Sequence, residues 1–120
     1  KVEHVLKYRL PVKAYDTILF TGMHYVGRDN FLITSSDAVV SIGGRMGTLH
    51  EFTIAMETDT PIGFLQGAGG ISNEIQGLVE IAQPLRPDAY VTYNDSPAEL
   101  VKDLTSFLDK RNAKYQNLYQ

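Results

Sequence analysis

The residues best placed to do chemistry stand together in Gly43-Gly44-Arg45-Met46-Gly47-Thr48-Leu49-His50-Glu51. Glycines let a ligand approach the backbone closely, and a helix starting behind them offers free N–H groups to a phosphate. A bare glycine turn between strand and helix also explains itself without a ligand. Glu51 has two readings. Thr48-x-x-Glu51 spells a capping box, in which Thr48 accepts from the Glu51 N–H and Glu51 reaches back to the Thr48 N–H. Alternatively, Glu51 is a carboxylate at a crevice, able to act as acid, base or acceptor for a ribose hydroxyl.

Upstream, Gly22-Met23-His24-Tyr25-Val26-Gly27-Arg28-Asp29-Asn30 supplies Arg28, a charged donor suited to a phosphate or ribose, though taken alone it reads first as a solvated surface Arg. Asp29 or Asn30 reads as an N-cap. His24 has no metal-ligating partner at helical spacing, and neither His4 nor His50 provides one, so no metal site is expected. Gly67-Ala68-Gly69-Gly70-Ile71-Ser72 is a second glycine-rich segment. Its Ser72 breaks the dinucleotide pattern G-x-G-x-x-G and reads as the N-cap of the next helix.

These segments must be positioned by strands. Ala38 to Ile42 is a continuous apolar run ended by Gly43-Gly44, the mark of a strand buried on both faces. Ile62 to Gln66 and Ala89 to Tyr93 are the next two. A helix is expected from Thr48 to about Thr58, and another from Asn73 to Ala82, where Ile75, Leu78, Val79 and Ala82 recur at helical spacing. Strands alternating with helices at this rhythm predict a parallel α/β sheet with ligands at the carboxyl ends of its strands. Ser96, Pro97 and Glu99 mark the start of a last helix, with Leu100, Val101, Leu104, Phe107 and Leu108 as its apolar stripe and Lys110 and Arg111 in its last turn. Residues 112–120 are expected to fray. Thr17 to Thr21 reads as a further strand, residues 29–36 as a short helix, and the alternation of Leu6, Tyr8, Leu10 and Val12 as an extended arm.

The chain has 120 residues, 43% apolar and 21% charged, which fits one small globular domain. It has no cysteine, so disulfides and thiolate metal sites are excluded. Eleven basic and fourteen acidic side chains give a net charge of -3 with no basic run, which argues against nucleic acid as a partner. No apolar stretch reaches the ~18 residues of a membrane span. No apolar core of a signal peptide follows Lys1-Val2-Glu3-His4, and a cytoplasmic location is expected.

The stretch from Ser36 to Glu51 resembles the signature of the Lonely Guy family, whose members often carry the label "possible lysine decarboxylase". Related Rossmann-like nucleotide-binding proteins include molybdenum-cofactor carriers. The family pattern is P-G-G-x-G-T-x-x-E, preceded by Met-His-x-Arg-Lys. Here Met23-His24 and Arg28 precede it, and Asp37 stands where the family has an Asp. Ile42 replaces the Pro, Arg45-Met46 stand in place of a single residue, Asp29 replaces the Lys, and Met23-His24 stand two residues further from the Arg.

The resemblance implies a Rossmann-like three-layer sheet with helices on both faces, and a nucleoside 5′-monophosphate ligand. It also implies hydrolysis of the N-glycosidic bond to free base and ribose 5-phosphate. Arg28 and Glu51 match the catalytic pair; Gly43, Gly44, Arg45, Gly47 and Thr48 match the phosphate loop. The runner-up is a non-catalytic nucleotide or molybdenum-cofactor carrier. No cofactor, nucleic acid or membrane partner is implied, and a homo-oligomer is expected. Residues 1–120 read as a single domain, incomplete on its amino-terminal side, because nothing matches the family's first strand and first glycine-rich segment.

Overall fold

The computed structural model describes residues 2–9 and 11–118. Strands β1 (Val39–Ile42), β2 (Ile62–Leu65) and β3 (Val91–Asn94) form a parallel sheet in the order β1-β2-β3. Val39 pairs with Ile62, and Ile62 with Val91. Parallel neighbours need a crossover, and both crossovers are helical. Helix α3 (Met46–Glu57) joins β1 to β2, and a 3-10 turn (Gly70–Asn73) followed by α4 (Ile75–Ile81) joins β2 to β3. The chain is therefore an α/β protein, as the spacing of its apolar runs predicts.

Alternation along β2 divides its neighbours between the two faces of the sheet. Ile62 and Phe64 are fully buried in a core shared with Phe52, Ala55 and Met56 of α3, Ile75 of α4, and Ile33 of α2 (His24–Thr34). The Phe52 ring meets Phe64 edge-on at 5.7 Å. Full burial of a side chain such as Phe64 stabilises by about 1.5–3 kcal/mol. Gly63 points the other way, and a Cβ there would come within 2.8 Å of Leu100 Cδ1. The missing side chain lets α5 (Pro97–Asn112) settle against β2 through Leu100 and Leu104. Among the described residues no helix is long and apolar enough to cross a membrane.

The start of α5 is half as expected. Ser96 Oγ accepts from the Glu99 N–H at 3.4 Å. The reciprocal contact is taken over by Asn94, whose Oδ1 accepts from the Ser96 N–H at 3.0 Å, while Glu99 pairs with Lys102 at 3.2 Å.

Other local expectations are corrected. Helix α2 begins at His24, well before residue 29, so Asp29 lies within it and caps nothing. Helix α3 begins at Met46, and its N-cap position is Arg45 with no side-chain cap. Thr48 is thus inside the helix, and the box with Glu51 is not built. Ser72 sits within the 3-10 turn and bonds backward rather than capping α4.

Residues 17–21 form no strand: 17–20 are exposed, and no neighbouring strand among the described residues lies beside them to share a ladder. The alternating arm is corrected to helix α1 (Val2–Lys7); its Leu10 lies outside the described residues. After α5 the chain continues as a 3-10 turn (Ala113–Tyr115), and residues 119–120 lie outside the described residues.

Candidate functional site

The loops leaving β1 and β2 are docked on one another at the carboxyl end of the sheet. Gly43 and Gly44 adopt φ +68° and +96°, and Gly70 adopts φ +62°. The Gly43 carbonyl accepts from Ser72 Oγ at 2.6 Å, and the Gly44 carbonyl accepts from the Ile71 N–H at 3.0 Å. A Cβ on Gly70 would run into the Gly44 carbonyl, and one on Gly44 would run into the Thr48 side chain. The glycines here are needed twice, for left-handed backbone and for room.

Behind this double loop, Arg45 is exposed, and Gly47 and Thr48 lie half-buried in the first turn of α3. With no side chain capping it, that turn keeps backbone N–H groups available to an anion. Gly43, Gly44, Arg45, Gly47 and Thr48 thus lie along one loop and the first turn of α3.

Arg28 on α2 and Glu51 on α3 also come together, because these two helices pack side by side. Partial burial pushes the Glu51 carboxyl above its ordinary range, and the negative charge of Asp29 pushes the same way. Arg28 and His50 pull it back without cancelling the rise. Nothing in the helix start consumes this carboxylate, since the capping role offered by the sequence is not used.

Sequence reasoning missed two members of the cluster. Asp29 is only 2% exposed and lies on the same inward stripe of α2 as Ile33, one turn on. Its Oδ2 stands 2.9 Å from His50 Nδ1. A usable signal was present: an acid in register with a core Ile must find a partner. Among the described residues no group of three or more His, Asp or Glu side chains is arranged to hold a metal ion.

A separate polar cleft opens at the other end of the sheet, between Asp37, Thr60, Asp88 and Arg111. Its main charges are engaged structurally. Asp59 receives two 3.0 Å bonds from Arg86, and its backbone carbonyl accepts from Arg111 at 2.8 Å. The Arg86 hydrogen bond holds the Asp59 carboxyl below its usual range. The carboxyl ends of parallel strands are where α/β sheets bind ligands, so the double glycine loop is the candidate site.

A parallel α/β sheet with a glycine loop opening an uncapped helix, and an acid and an arginine behind it, places the chain in the class of parallel α/β proteins with a candidate site at the carboxyl end of the sheet. Within that class the family is clear. Residues 5–101 match the model of the SLOG cluster4 family, and the chain belongs to that family. The SLOG superfamily includes Lonely Guy-like Rossmann proteins, and membership points to a nucleotide-related function. Neither the curated proteins nor the solved structures gave a match.

Proposed function

We propose that this chain binds a nucleoside 5′-monophosphate at the double glycine loop and hydrolyses its N-glycosidic bond. In that reaction the oxygen of water bonds to the anomeric carbon, and the carbon–nitrogen bond breaks with its electron pair leaving on the base. One water proton ends on the base and the other stays on the new sugar hydroxyl. The phosphate lies against the open N–H groups of α3, near Arg45, Gly47 and Thr48. Arg28 orients the substrate and stabilises developing charge, and Glu51 handles the proton.

One observation carries the reading. Glu51 is spared the capping role and held with a raised affinity for protons in a charged cluster with Arg28, behind the glycine loop. A carboxyl with a raised pKa keeps its proton to higher pH than an ordinary one, which suits acid–base work.

The remaining features of the proposal are a three-layer Rossmann-like domain, a cytoplasmic location and a homo-oligomer. Among the described residues β1 is an edge strand, with Val40 and Ile42 exposed, which supports pairing with a further copy. A second reading, a non-catalytic carrier of a nucleotide or of molybdenum cofactor, is favoured by Asp29. It sets a second acid beside Glu51 where the Lonely Guy signature has Lys.

Incubation with a panel of nucleoside 5′-monophosphates, followed by detection of free base, tests the proposal. Base release supports the hydrolase. Binding without release supports the carrier. Neither binding nor release rejects both.

A further inference from the structure

The Asp29–His50 pair is not accounted for by the glycine loop, Arg28 and Glu51. An apolar pair would join α2 to α3 without burying a carboxylate, which is costly even when paired. The geometry fixes the imidazole. An ionised carboxylate only accepts hydrogen bonds, so the bond of 2.9 Å from His50 to Asp29 Oδ2 places the hydrogen on Nδ1. In the neutral ring that leaves Nε2 as an acceptor.

The Asp29 side chain is 3% exposed and that of His50 is 39% exposed. Nδ1 is taken up by the Asp29 contact, so Nε2 is the ring nitrogen left for a ligand, on a side chain that keeps part of its surface in solvent. The next residue is Glu51, whose carboxyl feels the charges of Asp29 and Arg28. Two acceptors on adjacent residues, beside a cation, suit a ligand that offers hydroxyl hydrogens at one end and negative charge at the other.

We propose that His50 Nε2, presented by the buried Asp29 carboxylate, accepts a hydrogen bond from a ribose hydroxyl of a nucleotide held at the double glycine loop. The inference rests on the nucleotide reading above. Asp29 is the positioning residue and His50 the ligand-contacting one.

The test is calorimetric binding of AMP, 2′-deoxy-AMP and 3′-deoxy-AMP to the wild-type chain and to His50→Asn. Asn retains an N–H donor where Nδ1 stands, so it can still satisfy Asp29, but it carries nothing at the place of Nε2. Wild type should bind AMP about 10-fold more tightly than one of the two deoxy analogues, the scale of one hydrogen bond. His50→Asn should bind AMP and that analogue alike, at the weaker level. If His50→Asn binds AMP as tightly as wild type, the proposal is overturned and the nucleotide reading stands. If wild type binds none of the three, both fall together.

Two measurements do not depend on that variant. In 15N spectra of the wild-type histidines, AMP should shift the His50 Nε2 resonance and the discriminating analogue should not; equal shifts overturn the contact. The same spectra of the ligand-free chain should show the Nδ1–H tautomer of His50, and Asp29→Ala should convert it largely to Nε2–H. An unchanged tautomer in Asp29→Ala overturns the positioning role of Asp29.

Discussion

Ser72 Oγ donates a 2.6 Å hydrogen bond to the carbonyl of Gly43, across 29 residues of chain. Both residues are buried, so neither group has water as a substitute. Ser72→Ala leaves the Gly43 carbonyl without this donor, and we expect a loss of about 1–3 kcal/mol in urea or thermal unfolding. Affinity for AMP should fall as well, because the first glycine turn loses its brace. A variant as stable as wild type would show that the bond contributes nothing net.

Gly44→Ala and Gly70→Ala should each be costlier than Gly67→Ala. All three glycines have positive φ, +96°, +62° and +77° respectively. A left-handed alanine costs about 1 kcal/mol on backbone grounds alone. At Gly67 a Cβ meets nothing within 4 Å, so that is the whole cost. At Gly44 and Gly70 the added atom collides with Thr48 and with the Gly44 carbonyl. We expect at least ~2 kcal/mol there, read from matched urea titrations. Equal losses at the three positions would refute the interlocked geometry.

The buried pair should respond asymmetrically. His50→Ala leaves the Asp29 carboxylate buried and unpaired, and should destabilise by about 2–3 kcal/mol. Asp29→Leu replaces the acid with an apolar group of similar size against the same neighbours, and leaves His50 with its exposed edge in water. It should be neutral to within ~1 kcal/mol, or stabilising. Thermal melts of the two single variants suffice, and a larger loss for Asp29→Leu would reverse this account.

Glu51→Gln separates stability from chemistry through pH. The folded-state pKa of Glu51 is raised, so between its ordinary value of 4.5 and the raised one the native chain holds more protons than the unfolded chain. Wild-type stability therefore falls as pH rises through that window. Gln carries no such penalty. We expect the variant to be the more stable at pH 7. The gap should close as pH is lowered through the window to 4.5 and below. Base release, the activity proposed above, should drop by ~100-fold or more, the scale of losing an acid–base group. Turnover within a few-fold of wild type would remove Glu51 from the chemistry.

The parallel sheet was legible because its evidence is local: short apolar runs, each followed by glycine or by a capped helix, repeated at crossover spacing. The start of α5 was legible for the same reason, since Ser96 and Pro97 announce it. The starts of α2 and α3 were not. Their N-cap positions are Met23 and Arg45, neither of which caps with its side chain, so no residue type marks the boundary. Thr48 and Glu51 offered a box in the wrong register. The glycine segment and the interest in Arg28 and Glu51 came from a signature written along the chain, while their nearness comes from the packing of α2 on α3. The Asp29–His50 bond joins residues 21 apart on different helices, and only the packing of α2 on α3 brings them together. The run at Thr17 to Thr21 has strand composition but no neighbouring strand among the described residues, and composition alone does not build a ladder.

The 3.0 Å bond from the Ile71 amide to the Gly44 carbonyl gives the site a reporter outside itself. That proton exchanges with solvent only when the turn after β1 parts from the turn after β2. Its deuterium uptake therefore clocks the opening of the first loop without a label or a substitution there. Anything that stiffens residues 43–48 will slow exchange at a position it never touches, so a single amide resonance can screen for ligands whose identity is not known in advance.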